Sequence, residues 1–546
     1  MANEDTRHIS RLVPRSSKLL VALLIGAYIW LRWFDDVPTI PEFCLGSTSD
    51  CLRNGLNILP SYTDYFHLTS VTTALNTSIV MVGNALAGTV NGILCDRIGR
   101  RSTLLVAAVI AIIGIVLQSA AANIAMFIVA RCVIGFGTGI SAAAAPTYLA
   151  ETVPYEWRAF TLGLFFDFWY VGALLAAGIT YGTAKIESTW AWRIPSILQA
   201  LFSVICIAIL PFIPESPRWL VYQDRHQEAR EALAATHSNG NLCDTAVLVE
   251  LKEITDTIEW EKNHGEKLSM LQTVKSKSSR KRLLLSTSVA VFSMLSGNNI
   301  ISFYLGDMLD HAGVTNSTTQ LEINIILNCF CLVTSIIGSL FAERLGRRFL
   351  AISSTIFVTI FIFIIGALTK VYGSSTNLSG IYGTVASIFL FQGSYSFGWT
   401  PLTVMYPPEV LNYSIRANGM GIYTIFASGM GLLVTFAFPI ALDQIGWKIY
   451  VINGAWDVLE LLFVIFFWIE TKGKTLEEID QVIDGVKHSD MPDLDVLKRG
   501  DGIEEATTEA LEGRELVRES VDQTIDAGQK GSKLDYKEST MERTNM

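Results

Sequence analysis

Charge is scarce in this sequence. Only 17% of its 546 residues are Asp, Glu, Lys or Arg, whereas soluble domains carry about 25%. Half of the residues are hydrophobic and the mean hydropathy is +0.39, which excludes a soluble globular chain of this length. Metal-ligand spacing is missing from the eight cysteines. Cys95, Cys132, Cys206, Cys329 and Cys331 fall in apolar runs and read as small buried residues, while Cys44 and Cys51 share one loop and are candidates for a disulfide. No nucleophile, metal or cofactor constellation is present, so the sequence predicts no enzyme, no catalytic residue, no metal ligand and no cofactor. A small-residue cleavage site is also lacking behind the first apolar run, which reads as a signal anchor. The net charge is −10, and no nucleic-acid partner is expected. Most of that charge is local: residues 470–546 hold about 20 acids against about 11 bases and read as a solvated, disordered acidic tail.

What the chain does have is long apolar runs. About twenty apolar residues span the hydrocarbon of a bilayer as a helix. Runs of that kind fall at 18–34, 71–95, 102–121, 124–150, 159–183 and 193–213, and again at 283–309, 321–342, 349–370, 381–407, 417–442 and 447–469. An all-helical membrane protein of about twelve spans follows, six in 18–213 and six in 283–469. Residues 1–17 precede them and 214–282 link them. Lys and Arg cluster before the first span, between the second and third, at the end of the linker and after the eighth. These segments share one side, which predicts cytoplasmic termini. The sequons at Asn316 and Asn377 fall on the opposite side and are candidate glycosylation sites.

Two strings are written twice. Tyr148, Glu151, Arg158 and Ala159 recur with the same spacing as Tyr406, Glu409, Arg416 and Ala417, roughly 250 residues further on. Asp96-Arg97-Ile98-Gly99-Arg100-Arg101 is echoed by Glu343-Arg344-Leu345-Gly346-Arg347-Arg348. Both strings sit at the ends of apolar runs. Two similar halves of this kind are the pattern of a secondary transporter. The alternative is that the strings only fix topology, but topology needs Lys and Arg and no matched acid. The acids and arginines suit a latch that closes one side, extended by Glu215, Arg218 and Glu470. As solvent-exposed pairs they are expected to contribute about 0–1 kcal/mol each.

Inside the runs, Arg131 and Asp167 are ionisable residues at membrane depth, and such residues are functional candidates by default. Pro146, Pro401, Pro407 and Gly297-Asn298-Asn299 interrupt spans, and interrupted spans expose backbone and amides to a polar solute. Gly135, Gly137 and Gly139 read as close-packing positions. Candidate solute-binding residues are Asn298, Asn299, Tyr304, Asp167, Asn328 and Tyr395.

The motifs in their order resemble the sugar porter family of the major facilitator superfamily. They are Arg131 with Gly135, Gly137 and Gly139; Pro146, Tyr148, Glu151, Pro154 and Arg158; Pro214-Glu215-Ser216-Pro217-Arg218; Gly297, Asn299 and Tyr304; Tyr406, Glu409 and Arg416; and Glu470-Thr471-Lys472-Gly473. The run Leu295 to Leu305 is similar to the fungal lactose-permease-like branch. The resemblance implies two six-helix bundles that rock by alternating access around a central site, working as a monomer in the lipid bilayer of the cell membrane. It implies a sugar-like solute, and it implies proton coupling by an acid facing Arg131, here Asp35. A non-sugar metabolite on the same scaffold and a non-transporting nutrient sensor are the alternatives. Two departures stand out. Residues 37–51 are inserted where the family continues its first helix, as an outward bulge or as a gene-model artefact. Several family amide and aromatic positions fall at Phe166, Ser293, Met294, Val404 and Ala427, which favours a less polar or differently shaped solute.

Overall fold

The computed structural model describes residues 65–66, 70–183, 186, 188–238, 240–264, 270–298, 317–372 and 377–484. Asp35, Asn299, Tyr304, Asn316, the insert 37–51 and the first apolar run lie outside them. The remaining runs are helices. The first set comprises α1 (Ser70–Ile98), α2 (Arg100–Ser119), α3 (Ile124–Thr152), α4 (Tyr155–Thr183), α5 (Trp190–Leu198) and α6 (Ala200–Ile209). The charged linker folds into α7 (Pro217–Tyr222), α8 (His226–His237), α9 (Thr245–His264) and α10 (Met270–Lys275). The second set comprises α11 (Lys277–Leu295), α12 (Ser317–Leu345), α13 (Arg347–Tyr372), α14 (Leu378–Val410), α15 (Tyr413–Ile445) and α16 (Lys448–Phe467), followed by α17 (Leu476–Asp484). Eight stretches of the described residues are long and apolar enough to cross a membrane.

Several helices, among them α1, α12, α13, α14 and α15, outlast their apolar runs by up to about a turn, because the ends of a span continue into the polar interface. α13 shows the bilayer arrangement plainly. Phe349, Ile356, Phe357, Ile360 and Phe363 are exposed while Ser354 and Thr355 are buried, the inverse of a soluble helix. α3 packs on α1 and α2 at the three glycines: a Cβ at Gly135 would lie 2.3 Å from the Val80 carbonyl oxygen, and one at Gly137 would lie 2.9 Å from that of Ala107. The packing reading of these glycines is the one the geometry favours.

α11 stops at Leu295, inside the run expected to continue to 309. Gly297 follows with a φ of +85°, a left-handed backbone that glycine adopts without steric cost. The tail differs from expectation at its start. Residues 470–484 are folded, with Leu476, Ile479 and Ile483 of α17 buried and Asp480 bridged to Arg282 at 2.6 Å. A local acidic composition did not reveal those apolar anchors. The two sets of helices touch where α1 packs on α15 and where α4 packs on α12 and α14.

Candidate functional site

At one end of the spans the two repeated strings build the same structure twice. Gly99 and Gly346 both have a φ of +90° and lead into α2 and α13. A distant carboxylate caps each helix start. Glu215 accepts from the Arg100 and Arg101 backbone N–H groups at 2.9 and 3.0 Å, and Glu470 accepts from those of Arg347 and Arg348 at 2.8 and 3.1 Å. An anion there satisfies orphan donors and meets the positive end of the helix dipole. A Cβ at either glycine would lie 2.5 Å from that carboxylate, which explains the glycine.

The second layer also matches. The Arg100 guanidinium holds Glu151 at 3.1 Å, and that of Arg347 holds Glu409 at 2.8 Å and Glu343 at 3.0 Å. Ser216 donates to Glu151 and Thr471 to Glu409, each at 2.6 Å. Tyr148 and Tyr406 donate to the carbonyls of Pro214 and Ile469 at 2.8 and 3.1 Å. Arg218 donates to the Glu151 carbonyl at 3.2 Å. Asp96 is half-exposed at 3.8 Å from Arg100, and Arg97 and Arg344 are exposed at the rim.

A further contact crosses between the two sets. Arg416 of the second set reaches Glu151 of the first at 3.0 Å, joining the two sets at the charged end. Arg100 also stacks over the Tyr413 ring of α15, 5.1 Å from its centre. In the linker, burial alone would raise Glu250, but His237 at 3.1 Å, and then Arg218 and Arg158, outweigh that and hold it at about 2. The linker therefore leans electrostatically on the same arginines.

The exposed pairs expected from the sequence are in fact buried. Glu151 and Arg100 are 0% exposed at their side chains and Arg416 is 2% exposed. α3, α15 and the linker cover them, and position at a span end does not reveal that cover. Removing one partner of a buried pair costs about 3–5 kcal/mol, well above the surface figure.

A polar seam lies within the spans. Gln392 donates to Asn298 at 2.6 Å, and Tyr395 donates to the Ser293 carbonyl at 3.0 Å. Tyr170 of α4 meets Ser396 of α14 at 2.6 Å, a hydroxyl pair between the two sets. Asn453 of α16 donates to the Leu295 carbonyl at 3.0 Å, the group that the break in α11 releases. Such groups can hold a hydroxyl-bearing solute by paired donors and acceptors. The sequence expectation of few amides therefore misses Gln392 and Asn453, which supply them from other positions.

The remaining candidates scatter. Asp167 is buried and accepts from Ser339 of α12 at 2.9 Å, across the contact between the sets. Arg131 is buried over the Phe127 ring. Asn328 turns back on its own helix, donating to the Asn324 carbonyl at 2.8 Å, and joins no other candidate through that bond. Asn377 is exposed and caps α14 through Ser379 at 3.1 Å. Asp457 and Glu460, both buried in α16, were passed over in the sequence. The membrane-depth rule that selects Arg131 and Asp167 also selects them.

The "Sugar (and other) transporter" family model matches residues 42–483. The chain is 30% identical over 407 residues to the MFS-type transporter criB of Aspergillus cristatus, covering 74% of this chain and 83% of that one. It is 30% identical over 469 residues to a high-affinity glucose transporter of Kluyveromyces lactis, covering 81% and 84%. Among solved structures, the proton:xylose symporter XylE bound to 6-bromo-6-deoxy-D-glucose superposes with a TM-score of 0.73 at 20% identity, over 86% of this chain and 99% of that one. With the charged motif built twice and the family model spanning most of the chain, the protein belongs to the sugar transporter family and is a multi-pass membrane transporter of the major facilitator fold.

Proposed function

We propose that this chain moves a hexose or hexose-like polyol across the cell membrane by alternating access, driven by a proton. The observation that carries the reading is the buried Arg416–Glu151 bridge, which joins the two helix sets at one end of spans whose interior holds a polar seam. An ion pair between the two sets at their charged end is a contact that rocking has to break and remake. Glu409, Arg158, Glu343, Arg344, Arg97 and Asp96 complete the gate around it. Asn298, Gln392, Tyr395 and Tyr170 offer amides and hydroxyls to the solute, and Asn299 and Tyr304 are proposed as solute ligands from the sequence. Asp167 sits at its edge. The resemblance makes Asp35 and Arg131 the proposed pair for the proton. The Kluyveromyces lactis relative is named for glucose and the XylE neighbour for protons and xylose, which supports this choice of solute and ion.

Uptake of labelled D-glucose and D-xylose by purified protein in proteoliposomes tests the reading. A proton gradient is expected to drive accumulation, and one charge crossing ~100 mV corresponds to about fifty-fold at most. Uptake of either sugar that only equilibrates would make the protein a facilitator. A complete absence of sugar uptake would favour the non-sugar metabolite or the sensor.

On topology, the charged end and both termini face the cytoplasm, and Asn316 and Asn377 face outward to be glycosylated. Epitopes placed at Met1 and Met546 should stain only permeabilised cells. Staining of either on intact cells would reverse the orientation.

A further inference from the structure

α16 carries two carboxylates that nothing in the gate or the seam uses. Asp457 and Glu460 lie three residues apart on one face and are 0% and 1% exposed. Asp457 Oδ1 accepts from the Asn453 amide at 3.1 Å, and Glu460 Oε1 accepts from the Trp456 indole at 2.5 Å. Asp457 Oδ2 and Glu460 Oε2 are buried with no hydrogen-bond partner, and so is Asn453 Oδ1, from a side chain that is itself 5% exposed. Among the described residues no Lys, Arg or His pairs with either acid. The titratable groups around them are few. Tyr395 of α14 is close enough to feel Glu460, Tyr170 of α4 and Tyr423 of α15 reach Tyr395 in turn, and among the described residues α11 and α13 bring none. Two bare carboxylates a helical turn apart in a membrane interior repel each other and lose hydration together, so one proton between them is the favoured charge state.

The connection to the solute runs through Asn453. Its one NH₂ group donates both to Asp457 Oδ1 and to the Leu295 carbonyl, where α11 breaks beside Asn298. Gly297 adds to this join, since a Cβ there would lie 3.3 Å from Asn453 Oδ1. We propose that Asp457 and Glu460 form a proton-binding site, and that the proton they share sets, through Asn453, how firmly the broken end of α11 is held. With Asp457 ionised its bond from Asn453 is charge-assisted, and the amide is fixed on the Leu295 carbonyl. When a proton from the aqueous phase forms an O–H bond on Asp457, that bond falls to about half its strength and the broken span loosens next to the seam. The proton later leaves to water from the same oxygen, with no other bond made or broken. This rests on the proton-driven reading above and adds a site to it, distinct from Asp35 and Arg131.

Infrared spectroscopy of the purified full chain in lipid nanodiscs, titrated with pH, reads the proton without a solute. The wild type is expected to show a buried protonated-carboxyl band. Asp457→Asn and Glu460→Gln should each shift that band and the pH at which it titrates, and the double variant should lose it, while Asp167→Asn leaves it in place. Both variants remove charge from an unpaired buried site and should fold; if Asp457→Asn does not, Glu460→Gln reports the same pair. Hydrogen exchange supplies the second readout. Amides around Leu295 to Asn298 should exchange several-fold faster at acid pH than the intrinsic rate change explains, and this excess should vanish in Asp457→Asn. A band unmoved in both single variants and retained in the double variant, or pH-indifferent exchange at the break in the wild type, overturns the proposal. Failure of the wild type to accumulate any sugar against a gradient would instead overturn the proton-driven reading, leaving the band and the exchange data to decide the site.

Discussion

Arg416→Ala should lower solute turnover about 100-fold while leaving expression and folding intact. The guanidinium is buried and supplies an ion pair between the two helix sets at the charged end, at 3.0 Å from Glu151. Breaking a buried pair costs about 3–5 kcal/mol. Glu151 keeps Arg100 and Ser216, which places the loss near the lower end, about 3 kcal/mol. At ~1.4 kcal/mol per tenfold, the closed charged end becomes roughly 100-fold rarer, and a cycle that has to pass through it slows accordingly. Arg416→Lys should restore only part of the rate, since an ammonium does not reproduce the guanidinium fork. Turnover within about twofold of wild type in Arg416→Ala would mean that the repeated strings serve topology alone.

The second large effect is steric. α1 and α15 cross so closely that a Cβ at Gly421 would lie 2.4 Å from the Gly88 carbonyl oxygen, and one at Gly88 would lie 2.6 Å from that of Gly421. Gly421→Leu therefore cannot be accommodated with the two sets in contact there. Overpacking of this kind costs about 1–3 kcal/mol when it is absorbed locally, but here the halves can separate instead. Turnover should fall to background, with the charged end held open and a cysteine placed there labelled rapidly from that side. Gly431→Ala on the same helix is the control, because its nearest neighbour is Met81 Sδ at 3.5 Å, an ordinary contact. Slow labelling of Gly421→Leu, equal to wild type, would show that this crossing does not take part in opening.

The sequence displayed the repeat, the spans and the break at Gly297 because each is a local pattern. The matched strings pointed to a latch of acids and arginines, but which guanidinium holds which carboxylate, Arg100 with Glu151 and Arg347 with Glu409, emerges only from the fold. What they concealed was tertiary. Glu215 caps α2 from more than a hundred residues away, so only the folded chain reveals why Gly99 and Gly346 carry no side chain. Burial of the ion pairs depends on the folded linker, and residues 214–282 read in the sequence only as a connection between the two sets. The amides at Gln392 and Asn453 were missed because apolar periodicity does not say which face of a span turns inward. Asp457 and Glu460 are legible by composition, two acids in an otherwise apolar run, although none of the repeated strings or family motifs includes them.

The central claim is that the charged end opens and closes and that the Glu151–Arg416 bridge holds it shut. Spin labels at Ile98 and Leu345, exposed ends of α1 and α12 on opposite sets, report the separation directly by pulsed electron resonance in lipid. The wild type should give a predominantly short distance, and Arg416→Ala should transfer most of that population to a second, longer one. Identical distance distributions in the two proteins, with transport lost in the variant, would contradict the account.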